Sequence, residues 1–335
     1  MRRLSPKGVG AGLLLLLIAG LIMGEWVARF GLELGDPVLM QSHPSIEYLP
    51  QPNQDVRVAG TRHRINAFGM RSDDPPPADQ RALRVLVLGD SVINGGRRTD
   101  HAELATTLAQ AALSEQLGGP VWVGNASAGS WGPGNWLAYV DTFGTFDADI
   151  AVLVVSPHDL GDTPQFLAST AESLTTRKPW TALGEALGIG WERLRDRLGG
   201  ASTPNVADLN QPGLPVPSPD DPRRLTAEAD LRSLLEQLWE AGISVAMLYF
   251  PEADADGRHD EVRSRFQTIT ETHGGVFVDM RERFLSDNPS NNPAYRDRMH
   301  PSLAGQRLLA DAMVESIVYL RPTDHSNGTP AATEP

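Results

Sequence analysis

Residues 85–88 leave little choice of fold. Val85, Leu86, Val87 and Leu88 stand in an unbroken apolar run between Arg84 and Gly89-Asp90-Ser91. A strand that is apolar on both sides has no solvent face, so it belongs inside a sheet covered by helices above and below. Gly89-Asp90-Ser91 then falls at the strand's carboxyl end, the edge at which open parallel sheets bind ligands. A serine there, just ahead of a helix, is placed to be an exposed nucleophile. Taken alone, Gly-Asp-Ser is also ordinary turn composition.

Four more apolar runs follow, at residues 121–123, 150–155, 243–249 and 276–278. Helical patterns separate them. Residues 100–117 carry Leu104, Leu108, Ala111 and Leu113; residues 226–241 carry Leu231, Leu234, Leu235 and Leu238 on one face. Further helices are predicted over 133–142 and 260–273, and from Pro301 onward with Leu309, Met313 and Ile317 in register. Alternating strands and helices, joined by right-handed crossovers, predict a three-layer flavodoxin-like α/β fold. Its five parallel strands take the order 2-1-3-4-5. Residues 163–222 interrupt the pattern with one or two short helices (180–187 and 191–198) and a Pro/Gly-rich stretch. They read as an insertion over the sheet's carboxyl edge, a lid. Residues 31–83 read as a Pro-rich approach, with a strand pair over 56–66 and a linker over 73–79. Residues 84–321 form the main domain and 322–335 a disordered tail.

The net charge of −13, with no Lys/Arg run past the N-terminus, argues against nucleic acid as a partner. The absence of cysteine removes disulfides, thiolate metal sites and thiol nucleophiles. Arg2, Arg3 and Lys7 precede a stretch without charge from residue 8 to residue 24, at the short end for a spanning helix. Trp26 suits a membrane interface, and Glu25 and Arg29 mark the exit. Residues 1–30 therefore predict a single-pass anchor with a cytoplasmic N-terminus and a periplasmic or extracellular main domain. A cleaved signal peptide is the competing reading, but no A-x-A site follows Ile22.

Near the end stands Asp297-Arg298-Met299-His300-Pro301. Asp and His three apart in one turn can face the same way. Asp297 can then hold the His300 ring while its other nitrogen takes a proton from Ser91, the logic of a Ser-His-Asp triad. The competing reading is a plain helix-start cluster.

These residues resemble the SGNH (GDSL-type) hydrolases, in four blocks that occur in the family's order. The first is Gly89-Asp90-Ser91, with the nucleophile. The second is Asn125-Ala126-Ser127-Ala128-Gly129, whose glycine N–H is implied as an oxyanion donor. The fourth is Asp297-x-x-His300-Pro301. The third departs from the pattern: His158 in Pro157-His158-Asp159 stands where the family has an oxyanion Asn, with Asn125 and Asn94 as possible substitutes. Asn66-Ala67-Phe68-Gly69-Met70-Arg71 is similar to membrane-anchored bacterial members.

The resemblance implies a serine esterase with an oxyanion hole of Ser91, Gly129 and His158, acting without a cofactor. It further implies an O-acyl ester as substrate, an acetyl group above all, on a small molecule or cell-envelope glycan. An O-acyltransferase with the same triad is the near alternative. A silent glycan-binding module is the distant one, and an intact Ser91, Asp297 and His300 argue against it. Trp131, Trp136 and Tyr139 could line a sugar cleft or fill the core, with Asn94, Asn125 and Trp131 as substrate contacts. Asp90 is expected to bond backbone groups. His158, Asp159 and Asp162 read as a polar site edge in preference to a metal site. The other histidines show no ligand spacing.

Overall fold

The apolar runs become the strands of one parallel sheet, and the helical patterns cover both of its faces. The structure, a computed structural model, describes residues 6–168, 174–197, 216–253, 259–284 and 292–321. A helix α1 (Pro6–Trp26) leads in and continues through one π turn, Val27–Gly31. Two antiparallel hairpins follow: β1 (Met40–His43) with β2 (Glu47–Pro50), and β3 (Gln54–Val58) with β4 (Thr61–Ile65). Then come β5 (Leu83–Gly89), a single helical turn α2 (Ser91–Asn94), α3 (Ala105–Leu117), β6 (Val121–Ser127), α4 (Pro133–Phe143) and β7 (Ile150–Val155). The chain continues with α5 (Ala182–Arg197), α6 (Pro222–Glu240), β8 (Ser244–Tyr249), α7 (Asp260–Thr272), β9 (Val276–Asp279), α8 (Arg281–Phe284) and α9 (Leu303–Leu320).

The sheet runs β6-β5-β7-β8-β9, every pair parallel. Side chains alternate across it. Val85 and Val87 face α3 and α9, with Leu113, Leu309 and Met313. Leu86 and Leu88 face the opposite layer, with Trp136, Leu231, Leu234 and Phe266. That two-period sorting is what lets a continuous apolar run serve two cores.

The structure differs from the sequence reading in four places. The strand expected over 121–123 runs on to Ser127, because Gly124 to Ser127 stay in register with β5 as far as Gly89. Of the one or two helices expected over 180–187 and 191–198, the described residues hold one, α5, which joins the two spans through Gly188 and Gly190, with Ala182, Leu183, Ala186 and Ile189 in one packed stripe. Pro301 precedes the last helix and does not start it: Ser302 caps α9 by accepting from Ala304 and Gly305 N–H. The approach segment is built into the domain, with Ile46, Leu49 and Met70 in its core and Arg71 N–H donating to the Asn125 carbonyl. Residues 198–215 of the insertion and the tail at 322–335 lie outside the described residues.

Buried His63 on β4 carries an acid-sensitivity prediction. Burial, with the nearby charges of Arg71 and Arg97, pulls its pKa down to about 3. The folded chain holds the ring neutral, while the unfolded chain protonates it near the ordinary histidine value of about 6.5. Between those values the unfolded state binds more protons, so stability falls as pH drops from about 6.5 toward 3. Thermal melts at pH 7 and pH 4 are expected to differ less for His63→Gln than for the native chain.

Candidate active site

Ser91 owes its place to the turn that joins β5 to α2. Asp90 caps that turn: its Oδ1 accepts from Val92 N–H at 2.8 Å. Gly89 is required by close approach, since a Cβ there would sit 2.6 Å from Ile93 Cγ2 and 3.0 Å from the Val154 carbonyl. Trp136 Nε1 donates to the Gly89 carbonyl at 3.1 Å and holds the strand end from below. As the first residue of α2, Ser91 has no intrahelical acceptor for its own N–H.

His300 arrives from the other end of the chain, in the loop before α9. Its Nε2 lies 3.1 Å from Ser91 Oγ, across 209 positions of sequence. Its Nδ1 lies 2.9 Å from both carboxylate oxygens of Asp297. Asp297 Oδ1 also accepts from the backbone N–H of Met299 and His300, which locks the turn. Partial burial works against the Asp297 charge, but the His300 ring and the two N–H donors outweigh it and hold the carboxyl well below the usual carboxylate range. The loop is closed by a bridge between Tyr295 and Pro301 and by Ala253 N–H donating to the Arg298 carbonyl.

Behind Ser91 lies a buried charged cluster. His158 Nε2 is 2.9 Å from Asp90 Oδ2, 3.6 Å from Asp159 Oδ1 and 3.9 Å from Asp162 Oδ2. Burial pushes the ring toward neutrality, but the Asp90 hydrogen bond and the charges of Asp159 and Asp162 raise it to about 10. Burial, with the Asp90 charge, pushes the Asp159 carboxyl well above its usual range. The expected oxyanion position of His158 is therefore corrected: the ring is turned back into an ion pair with the residue that caps α2. Asp90, His158 and Asp159 present ligand-type atoms within 4.8 Å of one another. A cation there would have to displace the proton on His158, so the donors fit a salt-bridged cluster better than a metal.

A family model described as GDSL-like Lipase/Acylhydrolase matches residues 87–308. The chain belongs to that family. This acylhydrolase is accordingly a hydrolase of ester bonds. Among solved structures, TesA is 16% identical with a TM-score of 0.46, covering 71% of this chain and 99% of its own. The esterase EstA from Pseudoalteromonas sp. is 14% identical with a TM-score of 0.42, covering 71% and 97%. A catalytic mutant of an acetylxylan esterase from Geobacillus stearothermophilus is 15% identical with a TM-score of 0.43, covering 70% and 93%. No curated protein matches the chain.

Three further contacts expected of the acylhydrolase are corrected. Asn125 is fully buried, and its amide donates to the Ile93 carbonyl and Thr106 Oγ1, which leaves nothing for a substrate. Asn94 is half-buried, and its amide nitrogen is spent on the Ser127 carbonyl at 2.9 Å, which takes it out of the oxyanion hole. Trp131 is 1% exposed, its Nε1 donates to the Tyr48 carbonyl, and its ring packs on Tyr139. Small residues and aromatics at helix spacing suit a cleft and a core equally well, and here they form core. Gly129 is different: among the described residues none accepts from its N–H.

Two site residues were missed by sequence reasoning, and both come from the approach segment. Tyr48 donates its hydroxyl to the Gly129 carbonyl and orients that peptide. Arg71 is buried and donates to the carbonyls of Asn94, Gly96 and Thr99, gathering the loop behind Ser91. Burial lowers its pKa to about 10, so it stays charged at neutral pH. The only signal was the arginine closing Asn66–Arg71, whose partners lie in a remote loop. Arg71→Met strands the buried Thr99 carbonyl and the half-buried carbonyls of Asn94 and Gly96, and is expected to cost about 3–5 kcal/mol, read as a lower urea midpoint at unchanged slope.

Proposed function

We propose that this acylhydrolase is a serine esterase that removes a short O-acyl group, acetyl above all, from a cell-envelope glycan. The observation that carries the triad reading is the chain of contacts from Ser91 Oγ to His300 Nε2 and from His300 Nδ1 to Asp297. Ser91 Oγ attacks the ester carbonyl and passes its proton to His300 Nε2. Asp297, held ionised, stabilises the imidazolium. The oxyanion is received by the N–H groups of Ser91 and Gly129, each such donor being worth about 10²–10³ in rate. His300 then protonates the leaving alcohol, and water, activated by the same ring, clears the acyl-serine. The choice of acetyl and of glycan comes from the resemblance and from the location proposed below.

The protein acts outside the cytoplasm, held by α1. The segment Gly10–Gly31 has a mean hydropathy of 2.1 and is 6% buried. Its uncharged part, up to Gly24, is at the short end of what crosses a hydrocarbon layer of about 30 Å, and Glu25 and Arg29 mark the exit. The native chain is expected to turn over p-nitrophenyl acetate faster than p-nitrophenyl decanoate and to take a fluorophosphonate label on the peptide containing Ser91. It is expected to sediment with membranes after carbonate extraction. Labelling elsewhere would overturn the nucleophile; release by carbonate would overturn the anchor.

A further inference from the structure

The insertion helix α5 carries two apolar stripes, and the domain uses only one. Ala182, Ala186 and Ile189, with Leu183, pack against Ala28 and Leu34 just past α1. Leu187, Trp191 and Leu194 repeat the same i, i+4, i+7 spacing five positions later. That offset turns their stripe by about 140° around the helix, and they are 66%, 66% and 48% exposed. Trp180, just ahead of the helix, is wholly exposed.

The start of α5 is tied to the end of the apolar span. Glu25, the first charged residue after the uncharged stretch, accepts from Ala182 N–H at 3.0 Å and Leu183 N–H at 2.9 Å, capping α5 from a distance of more than 150 positions. Arg29 pairs with the same carboxylate at 2.9 Å. Gly35 N–H donates to Glu185 Oε2 at 2.7 Å, so the first turn of α5 is held on both sides. Exposed apolar side chains continue from α1 through Trp26, Phe30 and Leu32. The free stripe of α5 thus begins where the span ends.

We propose that α5 lies on the membrane surface beside the anchor, with Trp180, Leu187, Trp191 and Leu194 set into the headgroup–acyl boundary of the leaflet from which α1 emerges. This rests on the reading of α1 as a membrane span. Trp at the interface, and a helix whose outward face is apolar, are the features that place a helix in that plane. The occupant of the stripe is the lipid itself. The Glu25 clasp then makes the anchor and the domain one rigid piece, so the domain is docked on the bilayer and not tethered at a distance.

The chain has no cysteine, so single nitroxide labels report without background. Leu16→Cys, Leu187→Cys, Trp191→Cys, Leu194→Cys and Trp239→Cys are each made in the full chain. The labelled proteins are reconstituted in phosphatidylcholine–phosphatidylglycerol nanodiscs, and collisions with oxygen and with a water-soluble nickel chelate are compared. Trp239 is 70% exposed on α6 and serves as an apolar surface site away from the span. Labels at 187, 191 and 194 are expected to shift toward oxygen and away from nickel, as at 16, while 239 meets nickel freely. A label in lipid at 16 but in water at 187, 191 and 194 overturns the docking and leaves the anchor standing. A label in water at 16 overturns the anchor and the docking together. Dipolar broadening between copies at 187, 191 and 194 gives the stripe to a second chain and overturns the proposal.

Discussion

Ser91→Ala is expected to lower esterase turnover by about 10⁵- to 10⁶-fold, and His300→Ala by a similar factor. The two act as one unit: without the base the hydroxyl is a poor nucleophile, and without the hydroxyl the base has no proton to take. The double variant is therefore expected to be no slower than either single one. What remains is the rate that the Ser91 and Gly129 N–H groups supply by holding the oxyanion. Asp297→Asn is expected to cost less, about 10⁴-fold, because the backbone donors of Met299 and His300 still hold the turn. Steady-state kinetics on p-nitrophenyl acetate, with melting curves to show that each variant is folded, make the check. Multiplicative losses in the double variant would mean that the two residues do not share a step.

His158→Leu is expected to destabilise the fold by about 3–5 kcal/mol, because it strips the cation from a buried ion pair. For a domain of this size that is a drop of about 10 °C in melting temperature. Asp90 would be left buried beside Asp159 and Asp162, and the cap on α2 would loosen with it, so kcat falls along with stability. His158→Asn keeps a donor for Asp90 without the charge and is expected to melt between the two. A loss of kcat at unchanged melting temperature would return His158 to the oxyanion hole. The pH dependence carries the same signature. The His158 pKa is raised in the folded chain, so its contribution is fully present below about 6.5 and is lost as pH rises through about 10. The native chain is expected to lose melting temperature across that window more steeply than His158→Leu.

That Ser91, Asp297 and His300 would meet was legible because each lies in a short motif at an element boundary, and the parallel sheet brings those boundaries to one edge. The five strands were legible for a related reason: runs such as 150–155 have one burial pattern on both faces. The direction in which His158 points was not, because a ring nitrogen four bonds from Cα can serve either the oxyanion or Asp90, and only the packing of residues 68 positions apart selects one. Trp131 and Asn125 failed for want of the same information. Tyr48 and Arg71 were hidden differently. The strands around them are short and polar, so periodicity is weak there, and their roles are hydrogen bonds to remote carbonyls that leave no trace in local sequence.

The 209 positions that separate Ser91 from His300 also set an order of events on the ribosome. Ser91, its cap and the two strands flanking β5 are translated in the first half of the chain. Asp297 and His300 follow only after β8 and β9. A nascent chain thus carries all five strands before His300 reaches Ser91. The last step adds two things at once: α9 closes the face that Val85 and Val87 present, and the loop before it sets His300 beside Ser91, which completes the proposed triad.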